Sequence, residues 1–229
     1  MTNTQMGATR INSEINFRNW LVTAMSIIGF AVLTSNATLA VGKKVHITAF
    51  GDSLTAGYGL PPGADFATRL EIALTKRGHR VRITNSGVSG DTTSAGLARF
   101  DWAVSDDTDA VILELGANDA LRGISPRIAR ANLDKILAKL AARKIPVLIA
   151  GMQAPANWGK DYEDAFNPIF ADLAKQYQAQ LYPFFLDGVI DKPNLKLADA
   201  LHPNEAGVDE IVRRILPSVE KLIARVKMP

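Results

Sequence analysis

The sequence predicts an α/β protein, a three-layer α/β/α sandwich built on a flavodoxin-like, five-stranded parallel sheet. Three observations carry this. Short β-rich runs alternate with helical patterns, which is the signature of βαβ units. One of those runs, "AVILEL" from Ala110 to Leu115, is almost continuously apolar, as strands covered on both faces are. The chain has 229 residues, 47% of them hydrophobic and 21% charged, enough to bury one sizeable core.

Val45 to Phe50, "VHITAF", reads as the first strand and runs into glycine. Asp65 caps a helical pattern, "FATRLEIALTKRG", that Gly78 closes. Val81 to Asn85 is the second strand. The loop "SGVSGDTTSAG" leads into a helix reaching about Trp102, with Asp91 as a candidate cap. Ala110 to Leu115 is the third strand. Ser125 and Pro126 open a helix that runs to Arg143, its apolar positions being Ile128, Leu133, Ile136, Leu137 and Leu140. Pro146 to Ala150 is the fourth strand, Tyr162 to Tyr177 the next helix, and Leu181 to Leu186 a weaker fifth strand. The last helix follows Pro203, with a stripe of Val208, Ile211, Val212, Ile215, Val219 and Leu222. Pro217 lies inside it and should kink or interrupt it.

The first forty residues differ from the rest. Arg10 and Arg18 precede an apolar run from Trp20 to Leu33, and small residues follow it. That describes a secretory signal, cleaved after Ala37 or Ala40. The run is shorter than the roughly 20 apolar residues a spanning helix needs, so no stable membrane insertion is expected once it is removed. Residues 1–40 are therefore read as a signal peptide, and residues 41–229 as a single domain, secreted and expected to be monomeric. The formal charge is +3 with basic residues scattered along the chain, which gives no nucleic-acid surface. There is no cysteine, so disulfides, cysteine catalysis and thiolate metal sites are excluded.

In open parallel sheets, ligands bind outside the carboxyl ends of the strands. Gly51-Asp52-Ser53 follows the first strand, Ser86 to Asp91 the second and Gly116-Ala117-Asn118-Asp119 the third; Asp199 to Pro203 precede the last helix. All four groups should meet at one edge. Ser53 needs a base to become a nucleophile. Of the three histidines, only His202 lies in such a loop; His46 reads as a packed or edge residue and His79 as a surface one. Asp199, three residues earlier, can orient the imidazole and stabilise its protonated form. Backbone N–H groups of Ser53 and Gly90 and the side-chain amide of Asn118 can donate to an oxyanion. Each group alone has a plainer reading. Gly-Asp-Ser can be a turn, Asn118 a helix cap, Gly90 part of a turn, and Asp199 a solvated loop charge. Glu114 reads as structural rather than as a second base, and Asp52 and Asp119 as loop hydrogen-bonders. Trp158 and Phe166 line a groove or pack in the core. Arg122 and Lys160 meet an anionic head group or are solvated.

Nucleotide binding fits poorly. Gly57-Tyr58-Gly59 is followed by two prolines rather than by the third glycine of a dinucleotide loop, and no phosphate-binding lysine loop occurs. No histidine cluster suggests a metal. Taken together, "GDSLTAGYG", "SGDTTSAGLARF", "LELGANDALRG", "APANWG" and "DALHPN" resemble the blocks of the SGNH, or GDSL, hydrolase family. The serine, glycine, asparagine and histidine of that name match Ser53, Gly90, Asn118 and His202, and Asp199 matches the family's Asp-x-x-His block. The blocks resemble most the bacterial periplasmic thioesterase, lysophospholipase and arylesterase branch, apart from Ala117 where that branch usually has a second glycine.

The resemblance implies the SGNH hydrolase fold and a periplasmic or secreted serine esterase or thioesterase without cofactor or metal. Its substrates would be small acyl esters or thioesters, including aryl esters and lysophospholipids. Ser53, Asp199 and His202 would be catalytic, with Ser53, Gly90 and Asn118 forming the oxyanion hole. Ala154, Pro155 and Trp158 are candidates for substrate contact. Two other readings remain: an envelope carbohydrate O-acetyl esterase, and a binding-only member of the fold.

Overall fold

Five parallel strands organise the chain in the computed structural model, which describes residues 1–2 and 43–226. The signal segment and its cleavage point fall on residues 3–42, outside the described residues. The elements run as β1 (Val45–Gly51), α1 (Ser53–Ala56), α2 (Phe66–Lys76), β2 (Val81–Gly87), α3 (Thr93–Ala103), β3 (Ala110–Glu114), α4 (Ala117–Leu121), α5 (Pro126–Ala142), β4 (Val147–Ala150), α6 (Lys160–Phe166), α7 (Ile169–Gln176), β5 (Gln180–Tyr182) and α8 (Glu205–Ile223). Two 3₁₀ turns, Ala156–Trp158 and Pro193–Leu195, lie in the loops.

The sheet order is β2-β1-β3-β4-β5 with every pairing parallel. Right-handed crossovers then dictate the layers. The step from β1 to β2 goes one way along the sheet and puts α2 on one face. The later steps go the other way and put α3, α5 and α7 on the opposite face. α8 returns to pack on α2, and α3 packs on α5. Every residue of β1, β3 and β4 is buried, and apart from His46, Thr48 and Glu114 those runs are apolar. Leu70, Leu74, Leu133 and Ile215 are among the helix residues that close the core against the sheet.

Several expectations are corrected. The helix expected over Tyr162–Tyr177 is two helices, α6 and α7, because Pro168 removes a backbone donor and starts a new turn. The fifth strand stops at Tyr182, where Pro183 follows. Pro183 has no N–H to donate to the ladder. Conversely, α8 is not interrupted at Pro217. Ile211, Val212, Ile215, Val219 and Leu222 are all buried along it, and that packing outweighs the ~3 kcal/mol a mid-helix proline costs. Ile128 is exposed, and Ala129 takes its place in the buried stripe of α5. Ser125 precedes α5 without a side-chain cap bond. Asp91 does not cap α3; the Thr92 hydroxyl accepts from the Ala95 N–H instead. The His79 side chain is 30% exposed and its Nε2 lies 2.9 Å from the Glu220 carboxyl. Among the described residues no helix is long and apolar enough to cross a membrane.

Candidate active site

The turn after β1 is shaped by crowding. A Cβ on Gly51 would collide with the Thr55 hydroxyl and the Glu114 carboxyl, so only glycine fits there. Asp52 then caps α1 by accepting from the Leu54 N–H at 3.0 Å. Ser53 is the first residue of α1 and is only 8% exposed.

His202 reaches it from the loop before α8. Its Nε2 lies 3.0 Å from Ser53 Oγ, and its Nδ1 lies 2.6 Å from Asp199 Oδ2. The second Asp199 oxygen accepts from the backbone N–H groups of Leu201 at 2.9 Å and His202 at 3.0 Å. Those backbone bonds, the one from His202 first, and then the imidazole hold the Asp199 carboxyl down at about 2. Asp199 therefore stays ionised and keeps Nδ1 as the protonated nitrogen, leaving Nε2 free to accept from the serine. The loop is pinned by the Leu197 N–H on the His202 carbonyl at 2.8 Å and by a bridge between Lys196 and Pro203. The Tyr58 ring flanks the imidazole with centroids 4.5 Å apart.

Two more strand-end loops bring donors. Gly90 has φ +86°, a conformation few other residues adopt. Arg122 donates to its carbonyl at 2.9 Å, while the Gly90 N–H makes no bond to another described residue. The Ser53 N–H is likewise unbonded among the described residues. Asn118, in α4, donates one amide proton to Asp52 Oδ2 at 3.1 Å and has a second to give. Asp119 ties α4 to the start of α3, accepting from the Thr93 N–H and hydroxyl, each at 2.7 Å.

Beneath these donors lies a set of contacts that the sequence does not announce. Arg99 pairs with Asp91 at 2.5 Å, donates to the Gly51 carbonyl at 2.8 Å, and stacks over the Phe50 ring at 4.3 Å. One buried guanidinium thus joins the end of β1 to the Gly90 loop. Deeper still, Glu114 accepts from the Asp52 N–H at 3.2 Å and the Thr55 hydroxyl at 2.7 Å.

Ser53, Gly90, Asn118 and His202 all open onto one cavity of about 550 Å³. Its walls are mainly apolar, with Leu121, Met152, Phe184 and Ile190 among them. Ala154 and Pro155 line it. Trp158 does not; it packs instead over Gly123 and beside the Tyr162 ring, at 6.2 Å. Phe166 is fully buried in the core, stacked on Tyr162. Lys160 pairs with Asp164 on its own helix at 2.7 Å.

The arrangement has the parts an acyl-transfer reaction needs, a nucleophile, a base and unengaged donors. The model of the GDSL-like lipase/acylhydrolase family matches residues 49–209. The chain belongs to this family. It is 39% identical over 184 residues to an arylesterase of Vibrio mimicus, a match covering 80% of this chain and 90% of the relative. It is 33% identical over 191 residues to thioesterase 1/protease 1/lysophospholipase L1 of Escherichia coli, covering 83% and 88%. Among solved structures, AlinE4, an SGNH-hydrolase family esterase, superposes with a TM-score of 0.68 at 48% identity, covering 80% of this chain and 98% of that one. The protein is a GDSL-family serine esterase/thioesterase with the SGNH hydrolase fold.

Proposed function

We propose that Ser53, His202 and Asp199 form the catalytic triad of this GDSL-family hydrolase and that the N–H groups of Ser53 and Gly90 and the Asn118 amide form its oxyanion hole. The observation that carries this is the unbroken hydrogen-bond chain from Asp199 through His202 to Ser53, ending beside two unengaged backbone donors.

His202 Nε2 takes the Ser53 proton as Oγ attacks the ester or thioester carbonyl carbon. The carbonyl electrons move onto oxygen, where the three donors hold the charge. Asp199 stabilises the imidazolium. Collapse breaks the bond to the leaving alkoxide or thiolate, which takes the proton from Nε2. Water then attacks the acyl-enzyme, gives its proton to His202, and the second collapse returns a proton to Ser53. The apolar cavity supports substrates with an apolar acyl or aryl portion, in keeping with the names of the relatives: aryl esters, acyl thioesters and lysophospholipids. The basic flank, short apolar run and small-residue end of residues 1–40 support export to the periplasm or beyond.

The test is Ser53→Ala assayed on p-nitrophenyl esters from acetyl to palmitoyl, acyl-CoA, lysophospholipid and an acetylated glycan. Turnover should fall by at least ~10³ on every substrate the wild type accepts, with the circular dichroism unchanged. Near-wild-type turnover in Ser53→Ala refutes the triad, and a preference for the glycan refutes the acyl-chain reading.

A further inference from the structure

Two carboxyl side chains sit together at the base of the nucleophile turn, and the mechanism above uses neither as acid or base. Asp52 and Glu114 are both fully buried. Neither takes part in an ion pair among the described residues. Arg99, which bonds the neighbouring Gly51 carbonyl, is committed to that oxygen and to Asp91. His202 is engaged with Asp199 and Ser53, and it acts on the Asp52 carboxyl only as the least of the influences that lower it. Two adjacent carboxylates, both dry and with no cation, cannot both be ionised at reasonable cost.

The hydrogen bonds say which one is neutral. Asp52 receives two N–H donors, from Leu54 and Asn118, one on each oxygen. Glu114 receives both of its donors on Oε2, and Oε1 is buried with no donor reaching it. A proton on the Glu114 carboxyl removes the repulsion between the pair, and the two side chains are within hydrogen-bond reach of each other. Burial pushes the Glu114 carboxyl well above its ordinary range, with the Asp52 charge adding to the effect. Asp52 is raised less, to about 6, because burial is opposed by the N–H groups that bind its charge.

We propose that Glu114 is a positioning residue for the oxyanion hole, a neutral acid that holds the Asp52 carboxylate, which in turn aims the Asn118 amide. Glu114 also fastens the Thr55 hydroxyl and the Asp52 N–H, so a single side chain fixes both the turn carrying Ser53 and the acceptor that orients Asn118. It touches no reacting atom. This rests on Asn118 being an oxyanion donor, and the experiment below reads Glu114 separately from that assignment.

Glu114→Gln supplies the same shape with an amide N–H in place of the acid proton, and Glu114→Leu keeps the bulk but removes every bond. Infrared difference spectra of wild type minus Glu114→Gln at neutral pH should show the C=O band of an un-ionised carboxylic acid. In steady-state assays, Glu114→Leu should lose about 10- to 100-fold in kcat with KM within about threefold, short of losing a donor outright. Glu114→Gln should restore most of that loss. An absent acid band overturns the proposal, as does a folded Glu114→Leu with wild-type kcat or a Glu114→Gln no better than Glu114→Leu. Should Glu114→Leu not fold, the infrared band and the turnover of Glu114→Gln decide alone. Failure of the oxyanion assignment is distinguishable, because it would appear as full activity in Asn118→Ala while the acid band persisted.

Discussion

His202 follows Ser53 by 149 residues, yet its Nε2 lies 3.0 Å from the serine Oγ. Only the fold makes that contact, since β1 delivers the serine and α8's leading loop delivers the histidine to the same sheet edge. Asp199, three residues away, bonds the imidazole and is held ionised by two backbone N–H groups as well as by that ring. Asp199→Asn keeps the size but loses the charge, so its amide favours the wrong imidazole tautomer. It should lower kcat by ~10² or more. A Ser53→Ala/Asp199→Asn double variant should be no worse than Ser53→Ala alone, because the residues act as one unit. Additive losses in steady-state kinetics would contradict that.

Two of the donors proposed for the oxyanion, the Gly90 N–H and the Asn118 amide, come from two further strand ends. Gly90→Ala has room for the new methyl, whose nearest neighbour would be Arg122 at 3.6 Å, but it strains a backbone at φ +86°. The loop relaxes by about 1–3 kcal/mol of strain and turns the N–H away. Asn118→Ala removes its donor directly. Each should cut kcat by roughly 10²–10³ while leaving KM within a few-fold, the split expected of contacts made in the transition state. An equal rise in KM would place these groups in ground-state binding instead.

Much of this site is legible in the sequence because parallel sheets put function at the carboxyl ends of strands. Gly51-Asp52-Ser53, Gly90, Asn118 and Asp199-x-x-His202 each stand just after a strand or just before a helix. The supporting layer is not legible. Arg99 and Asp91 meet only after α3 folds, and neither belongs to a periodic pattern. Glu114 looks like one more strand residue until its carboxyl is seen under Asp52. Trp158 carried the signal of a groove aromatic, but the 3₁₀ turn Ala156–Trp158 directs it over Gly123 rather than into the cavity.

The buried Arg99–Asp91 pair gives a stability test. Their side chains are 8% and 11% exposed. Arg99→Met strands the Asp91 charge and frees the Gly51 carbonyl, and should cost about 3–5 kcal/mol in urea unfolding. Arg99→Met/Asp91→Leu removes the stranded charge too and should recover part of that loss. Equal destabilisation of the single and double variants would show that the cost lies in packing and not in the unpaired carboxylate.

Acid sensitivity should trace in part to Glu210. Arg213 and Arg214 donate to its carboxyl at 2.6–2.8 Å and hold it at about 2, against 4.5 for a free glutamate. A carboxyl lowered in the folded state stabilises the fold above its unfolded value and loses that contribution as pH falls through its folded one. Thermal stability should therefore decline between pH 4.5 and about 2, a window Asp199 shares at its lower end. Glu210→Gln should melt about 2–4 °C below wild type at neutral pH, and the gap should close toward pH 2. A gap constant with pH in scanning calorimetry would assign the loss to packing.

Selectivity should respond to the cavity wall at Ala154. Its N–H donates to the Asn167 side chain at 2.8 Å, so the backbone there is fixed and a larger side chain must project into the cavity of about 550 Å³ or across its mouth. Ala154→Trp then competes with substrate for apolar surface. Each methylene kept off the wall forfeits about 0.8 kcal/mol, so excluding two or three lowers kcat/KM by roughly 15- to 60-fold. The loss should appear with dodecanoyl and longer p-nitrophenyl esters and be within about twofold for acetyl, because an acetyl group does not reach past the donors. Uniform loss across the series would mean that residue 154 shapes the reacting centre, whereas an unchanged series would move the acyl path to the Leu121 and Phe184 side of the cavity.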